Sequence, residues 1–361
     1  MKAILAGGLL ALACSAGVPD SGAFAVARPG YRFAFPRDHG SHPTFRSEWW
    51  YFTGHLWTPD GARRFGYQLT FFRQASPPAP WKGSPAWRSD QLQLAHAALT
   101  DEAGHRFLVA ERLDRAGLLA GAAADRLSVF HQDWRAEQEA SGRIRLHMTV
   151  RGATLDLALN PATPPVIFGE EGVSRKGADP SAASHYLTWP RLSAQGSLRL
   201  PEGPTFQVHG QGWMDHEFSS NQLDAEQVGW DWAGIQLRDG RSLMAYRLRR
   251  KDGGQDPYST VSEVDARGRI RRRTRAFTLG AAGAWRSPTS GATYPLPLVL
   301  EAWGERHTLV PVLPDQELRT GRSSGITYWE GACRVLDAAG REVGEAYVEL
   351  TGYAHSLKGR F

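Results

Sequence analysis

The sequence predicts an all-β protein built of two related antiparallel β units, each a barrel or sandwich. Three observations predict it. Short stretches of alternating polar and apolar residues recur along the chain, joined by Asp-Gly and Ala-Gly turns. The periodicity of a long amphipathic helix is nearly absent. The chain also echoes itself: Trp50-Tyr51-Phe52-Thr53-Gly54, then Asp60-Gly61 and a strand holding Tyr67, returns as Trp230-Asp231-Trp232-Ala233-Gly234, then Asp239-Gly240 and a strand holding Tyr246. Agreement in order more than in identity is what a repeated supersecondary unit leaves behind.

Taken from the N-terminus, Lys2, the apolar stretch Ala3 to Val18, Pro19 and the small-residue run ending Ala23-Phe24-Ala25 form an export signal cleaved after residue 25. Leu12-Ala13-Cys14 inside it resembles a lipoprotein box, which would instead leave the chain lipid-anchored through Cys14. Either way the expectation is an exported, periplasmic protein, soluble or tethered at one end. No later apolar run reaches the roughly 18 residues that a membrane-spanning helix needs. Removal of the signal leaves Cys333 as the one cysteine, which excludes an intrachain disulfide.

Hairpins follow. Glu48 to Trp57 alternates, turns at Pro59-Asp60-Gly61 and returns over Arg64 to Arg73. Similar pairs are Leu92–Thr100 with His105–Arg112, Arg143–Val150 with Thr154–Leu159, Gln227–Leu237 with Ser242–Arg250, and Ile326–Leu336 with Glu345–Tyr353. Segments rich in Pro, Gly, Ala and Ser, from Ala75 to Asp90 and from Pro161 to Ser184, read as long loops. The stretch Pro190 to Pro204 supplies the boundary, giving a first β unit over 26–200 and a second over 201–361.

The 361 residues carry a net charge of +5, with 13 Trp and 39 Gly, a pairing suited to twisted sheets with tight turns and large aromatic plugs. Arginines are spread along the chain except for Arg267 to Arg275, where six cluster around Gly268. No aromatics interleave with them, so a nucleic-acid partner is not expected, and the cluster reads as charges guarding a sheet edge.

The segment that most narrows function is Trp213-Met214-Asp215-His216-Glu217-Phe218. On a strand, residues two apart share a face, so Trp213, Asp215 and Glu217 point one way with carboxyls roughly 7 Å apart. Facing an apolar cavity, Asp215 would be held protonated by desolvation and by Glu217, and the indoles of Trp213, Trp230 and Trp232 could stabilise a cation beside it. The plain alternative is a structural knot in which the carboxyls bond indole N–H groups at a domain junction. The neighbouring run Trp49-Trp50-Tyr51-Phe52 is aromatic on both faces, which predicts a strand covered on both sides, at the junction, with Trp50 and Phe52 among the ligand contacts.

Other motifs are weaker. Gly321-Arg322-Ser323-Ser324-Gly325 fits the nucleophile elbow of hydrolases, but a strand follows where a helix is needed. His39, His42 and Glu48 are spaced so that they could bind a metal, yet they read better as polar lining of a ligand site, and no metal or other cofactor is expected. His96, among small apolar residues, reads as a core histidine.

Pro36-Arg37-Asp38-His39-Gly40-Ser41-His42-Pro43 leading into Ser47-Glu48-Trp49-Trp50-Tyr51-Phe52-Thr53-Gly54-His55-Leu56, the segment Gly212 to Ser220, Gly229-Trp230-Asp231-Trp232 and Tyr328-Trp329-Glu330-Gly331 together resemble the AttH and carotenoid 1,2-hydratase family, known also as predicted secreted hydrolases. The resemblance implies two lipocalin-like β-barrels side by side. For the hydratase members it implies addition of water across an isoprenoid double bond, with Asp215 in the place of the proton donor. Trp213 stands where those members carry Tyr, and with the export signal this makes the secreted AttH-like branch the closer match. Two functions remain open: a periplasmic carrier that holds a hydrophobic small molecule or lipid and partners a membrane transporter, and a hydro-lyase or secreted hydrolase acting through Asp215, Glu217 and Trp213. A monomer is expected in either case.

Overall fold

The computed structural model describes residues 24–75, 91–221, 223–224 and 226–357. The expected export signal, Cys14 included, falls outside them apart from Phe24 and Ala25, as does the expected loop beyond Ala75. The described chain is all-β apart from one 3-10 turn at Arg37–His39.

Two large antiparallel sheets carry the molecule. The first winds from Arg106–Arg115 through Gln91–Asp101, Arg64–Ala75 and Ser47–Trp57 to Thr205–Asn221, Ala183–Arg199, Ala153–Pro161 and Ile144–Val150. The second runs from Ile270–Thr274 through Thr260–Val264, Ser242–Arg250 and Gln227–Leu237 to Glu342–Leu350 and Ile326–Leu336. In each, the opening strand lies between its own hairpin partner and the last long strand of the unit. The echo read in the sequence is therefore an echo of topology.

Alternation decides what each strand buries. In the pairing of Ser47–Trp57 with Thr205–Asn221, Trp50 stands opposite His216 and Phe52 opposite Met214, while Trp49 stands opposite Glu217 and Tyr51 opposite Asp215. Directly opposed residues project to the same face. Trp50, Phe52 and Met214 enter the core of the first unit with Leu69, Phe71, Trp134 and Leu157. Burial of each such side chain is worth about 1.5–3 kcal/mol. A second core surrounds Ile235, Tyr294, Leu298, Trp329 and Val348. The opposite faces of both sheets meet in a third cluster that includes Tyr51, Tyr186, Trp213, Trp232 and Tyr246. This explains why one strand carries four aromatics in a row: it is covered on both sides.

The boundary expected at residue 200 needs correction. Thr205–Asn221 is a strand of the first sheet, so that sheet ends at Asn221. Pro201-Glu202-Gly203-Pro204 closes a hairpin that sets Arg199 opposite Thr205, with Glu202 at φ 50°. Prolines and glycine that read as a linker here shape a tight turn. The arginine-rich segment behaves as expected: Ile270–Thr274 is the outermost strand of its sheet, with Arg272 paired to Glu263 and Glu305.

Candidate functional site

A cavity of about 550 Å³ lies between the two units, not inside either one. The first sheet contributes Trp49, Tyr51, Tyr186, Asp215 and Glu217, and the second Trp230, Trp232, Tyr246, Leu248, Tyr328, Glu330 and Glu349. Leu92, Leu94 and Leu113 line it as well, and Leu113 is exposed. Aromatic and aliphatic side chains alternate in its walls with buried polar groups, among them Asp215, Glu217, Lys176, Glu330 and Glu349.

Asp215 sits at the junction, 4% exposed. Its Oδ2 accepts from the Tyr186 hydroxyl at 2.7 Å, and its Oδ1 accepts from Thr188 Oγ1 at 2.5 Å and from the Trp213 indole at 2.8 Å. Thr188 stands opposite Asp215 on the adjoining strand, so pairing register delivers that donor. Trp232 Nε1 in turn donates to the Tyr186 hydroxyl at 3.2 Å, extending the chain of bonds into the second unit. Burial pushes the Asp215 pKa up to about 7; the three donors oppose the rise and the charge of Glu217 adds to it. Near neutral pH the group exists in both protonation states, which is what a general acid requires.

Glu217 pairs with Lys176 Nζ at 2.9 Å, both buried. Lys176 also lies over the rings of Tyr246 and Tyr186, at 4.5 and 5.2 Å. Burial disfavours its ammonium form, but Glu217 and the other nearby oxygens outweigh this and raise its pKa. Across the cavity, Glu349 accepts from the Trp230 indole at 2.9 Å and Glu330 accepts from the Tyr51 hydroxyl. Burial pushes Glu349 up to about 7 and Glu330 well above the usual carboxyl range. Lys176 and Glu349 went unread in the sequence. A lone lysine in a Gly-Ala-Ser loop and an acidic residue on a strand both look like surface.

The predicted site residues separate into two groups. Asp215, Glu217, Trp230 and Trp232 line the cavity, with Trp213 behind Asp215 and packed edge-on against Trp232 at 5.7 Å. Glu48 reaches its edge. Trp50 and Phe52 do not line it: they are 1% and 0% exposed inside the core of the first unit, because the cavity lies on the other face of their strand. His39 and His42 are also away from it. His39 packs at a tilt against Trp189 at 4.5 Å, and His42 stacks on Phe218 at 3.6 Å.

His42, Glu48 and His216 bring ligand atoms within 4.8 Å of one another. The oxygens of Glu48 are already occupied by both imidazoles at 2.8 Å, by the His42 backbone N–H at 2.9 Å and by Arg73 Nε at 2.9 Å. A guanidinium that close opposes a cation, so the arrangement fits a hydrogen-bonded knot better than a metal centre. Burial opposes ionisation of Glu48, but His216, His42 and Arg73 hold its pKa well below the usual carboxyl range. His96 is buried, as expected of a core histidine, with both ring nitrogens satisfied, and it also borders the cavity: Nδ1 meets the Tyr328 hydroxyl at 2.8 Å and Nε2 meets Ser323 Oγ at 2.9 Å. Ser323 lies in a turn between two strands and donates to Glu111 at 2.6 Å, so it is not on an elbow.

Comparison with known proteins adds an independent line. The AttH-like family profile matches residues 26–353. A crystal structure described as an AttH of Nitrosomonas europaea is 36% identical, covers 91% of this chain and 100% of its own, and superposes with a TM-score of 0.82. Kievitone hydratase from Nectria haematococca superposes at 0.68 over 93% of this chain and 98% of its own, and at 14% identity it shares the fold alone. The ceramide-binding protein svf1 of Schizosaccharomyces pombe is 25% identical over 124 residues, 33% of this chain and 32% of that one. The chain thus spans about a third of that curated relative's length.

Proposed function

The chain belongs to the AttH-like family, and from its junction cavity we propose that it holds a lipid or other hydrophobic small molecule between its two β units. The observation that carries this reading is the position of the cavity. Each unit has a core of its own side chains, yet the aromatic faces that join the two leave about 550 Å³ unfilled. Packed interiors rarely retain voids of that size, since each costs dispersion energy and burial. The partial likeness to a ceramide-binding protein supports the lipid class.

The proposal extends to setting: an exported, periplasmic monomer, free or lipid-anchored through Cys14, that exchanges its ligand with a membrane transporter. Mass spectrometry of solvent extracts from the purified protein tests the core of it. A stoichiometric hydrophobic molecule is the expected result, and extracts free of one after mild purification would count against it.

A second reading starts from the Asp215 carboxyl, which is buried at the cavity wall, where desolvation pushes its pKa up to about 7. On this reading Asp215 protonates an isoprenoid double bond and the protein is a hydro-lyase. Asp215→Asn would then abolish turnover and leave ligand affinity in place. Unchanged turnover in that variant would remove the reading.

A further inference from the structure

The carboxyls that line the cavity outnumber its lysine and arginine side chains. Glu217 has Lys176 at 2.9 Å and Glu48 has Arg73 at 2.9 Å. Asp215, Glu330 and Glu349 also line the space, and among the described residues none of these three forms an ion pair. Glu330 and Glu349 stand directly opposite one another on adjoining strands, and with no cation beside them burial favours the neutral form of both. The carboxyls alone would not define a site. Two further observations do: an open cavity in front of them, and the incomplete bonding of Glu330. That side chain is 1% exposed and faces the cavity; one oxygen takes the Tyr51 hydroxyl, and the other accepts no hydrogen bond among the described residues.

The walls around this pair are rings. Trp230 and Trp232 flank Glu349, Tyr328 stands two residues before Glu330, and Tyr51 packs edge-on against Trp232 at 5.3 Å. Aromatic faces carry negative electrostatic potential and attract cations, most strongly in a desolvated site. A carboxylate or phosphate head would meet Glu330 and Glu349 here, while of the lysine and arginine side chains that line the cavity Lys176 and Arg73 are engaged by Glu217 and Glu48 and Arg46 is exposed. An alcohol could fill the hydrogen bonds but brings no charge to draw the two carboxyls into their ionised form.

We propose that the polar end of the cavity receives the ammonium head of a long-chain amine, seated between Glu330 and Glu349 and against Trp230 and Trp232, with its chain directed along Leu92, Leu94 and Leu113. This rests on the hydrophobic-ligand reading above and names the head group that reading leaves open. The cation favours ionisation of the two carboxyls, and its N–H groups reach the open oxygen of Glu330.

Titration of the purified full chain with dodecylammonium, dodecanol and dodecanoate, each below its micelle concentration, tests it by calorimetry. The ammonium is expected to bind about tenfold or more tightly than the alcohol, with the carboxylate weakest. In the double variant Glu330→Gln/Glu349→Gln the preference for ammonium over alcohol is expected to collapse toward parity, while retained dodecanol binding shows the cavity intact. Equal affinities in the native chain, or an undiminished preference in the double variant, overturn the ammonium site and leave the hydrophobic cavity standing. If none of the three probes binds, the cavity reading falls and this inference with it.

Discussion

The hydroxyl of Tyr186 donates to Asp215 at 2.7 Å, and the same oxygen accepts from Trp232 of the other sheet at 3.2 Å. One phenol thus couples a titratable carboxyl to the partner unit. Tyr186→Phe removes one of the three donors that stabilise the carboxylate, so the Asp215 pKa is expected to rise above its value of about 7. Infrared difference titration of the carboxyl band checks this, and a lowered pKa would contradict it.

Asp215 should also leave a signature in the pH dependence of stability. Its folded pKa of about 7 exceeds the ordinary 3.8, so its contribution is fully present below about pH 4 and is lost as pH rises through 7. Buried neutral histidines such as His39, His55 and His96, whose pKa values are lowered to about 3 to 4, tilt the total curve the other way. The difference between variants isolates the carboxyl. Relative to the native chain, Asp215→Asn is expected to gain stability between about pH 4 and 7, by up to about 1.4 kcal/mol per pH unit. Urea unfolding at stepped pH measures this slope.

The pair of Lys176 and Glu217 predicts an asymmetry. Both side chains are almost wholly buried, at 8% and 5% exposed. Lys176→Met leaves a buried carboxylate unpaired and should cost about 3–5 kcal/mol, whereas adding Glu217→Gln should recover much of the loss. Denaturant midpoints of the single and double variants decide it.

How far the sequence could be read follows from these same residues. Alternation placed Trp213, Asp215 and Glu217 on one face, and they share it. It also divided Trp49 and Tyr51 from Trp50 and Phe52, but it could not say which face would meet a cavity, because that depends on how two sheets dock. The sheet fixes Trp50 and Phe52 inside the barrel and leaves Tyr51 at the junction. Lys176 was illegible for another reason. It lies in a segment without periodicity, held in place by the short strand Ser174–Arg175 pairing with Ala183–Arg199. The strand Thr205–Asn221 reads from sequence as part of the second unit because a Pro-Glu-Gly-Pro turn looks the same within a hairpin as between domains.

That division of the aromatics can be tested directly. Phe52→Leu should lower stability by about 1–2 kcal/mol and leave affinity for a hydrophobic probe unchanged. Trp232→Leu should weaken the probe several-fold, since Trp232 lines the cavity. Loss of affinity in the Phe52 variant at intact folding would place the ligand in the first barrel instead.

The most direct measurement fills the hollow. Leu248 lines it and is 3% exposed, so Leu248→Trp should occupy the space without adding charge. An apolar fluorescent probe is expected to bind the native chain at one equivalent and to lose most of its affinity in the folded variant. Equal binding by both proteins would contradict the claim that a ligand lies between the two β units.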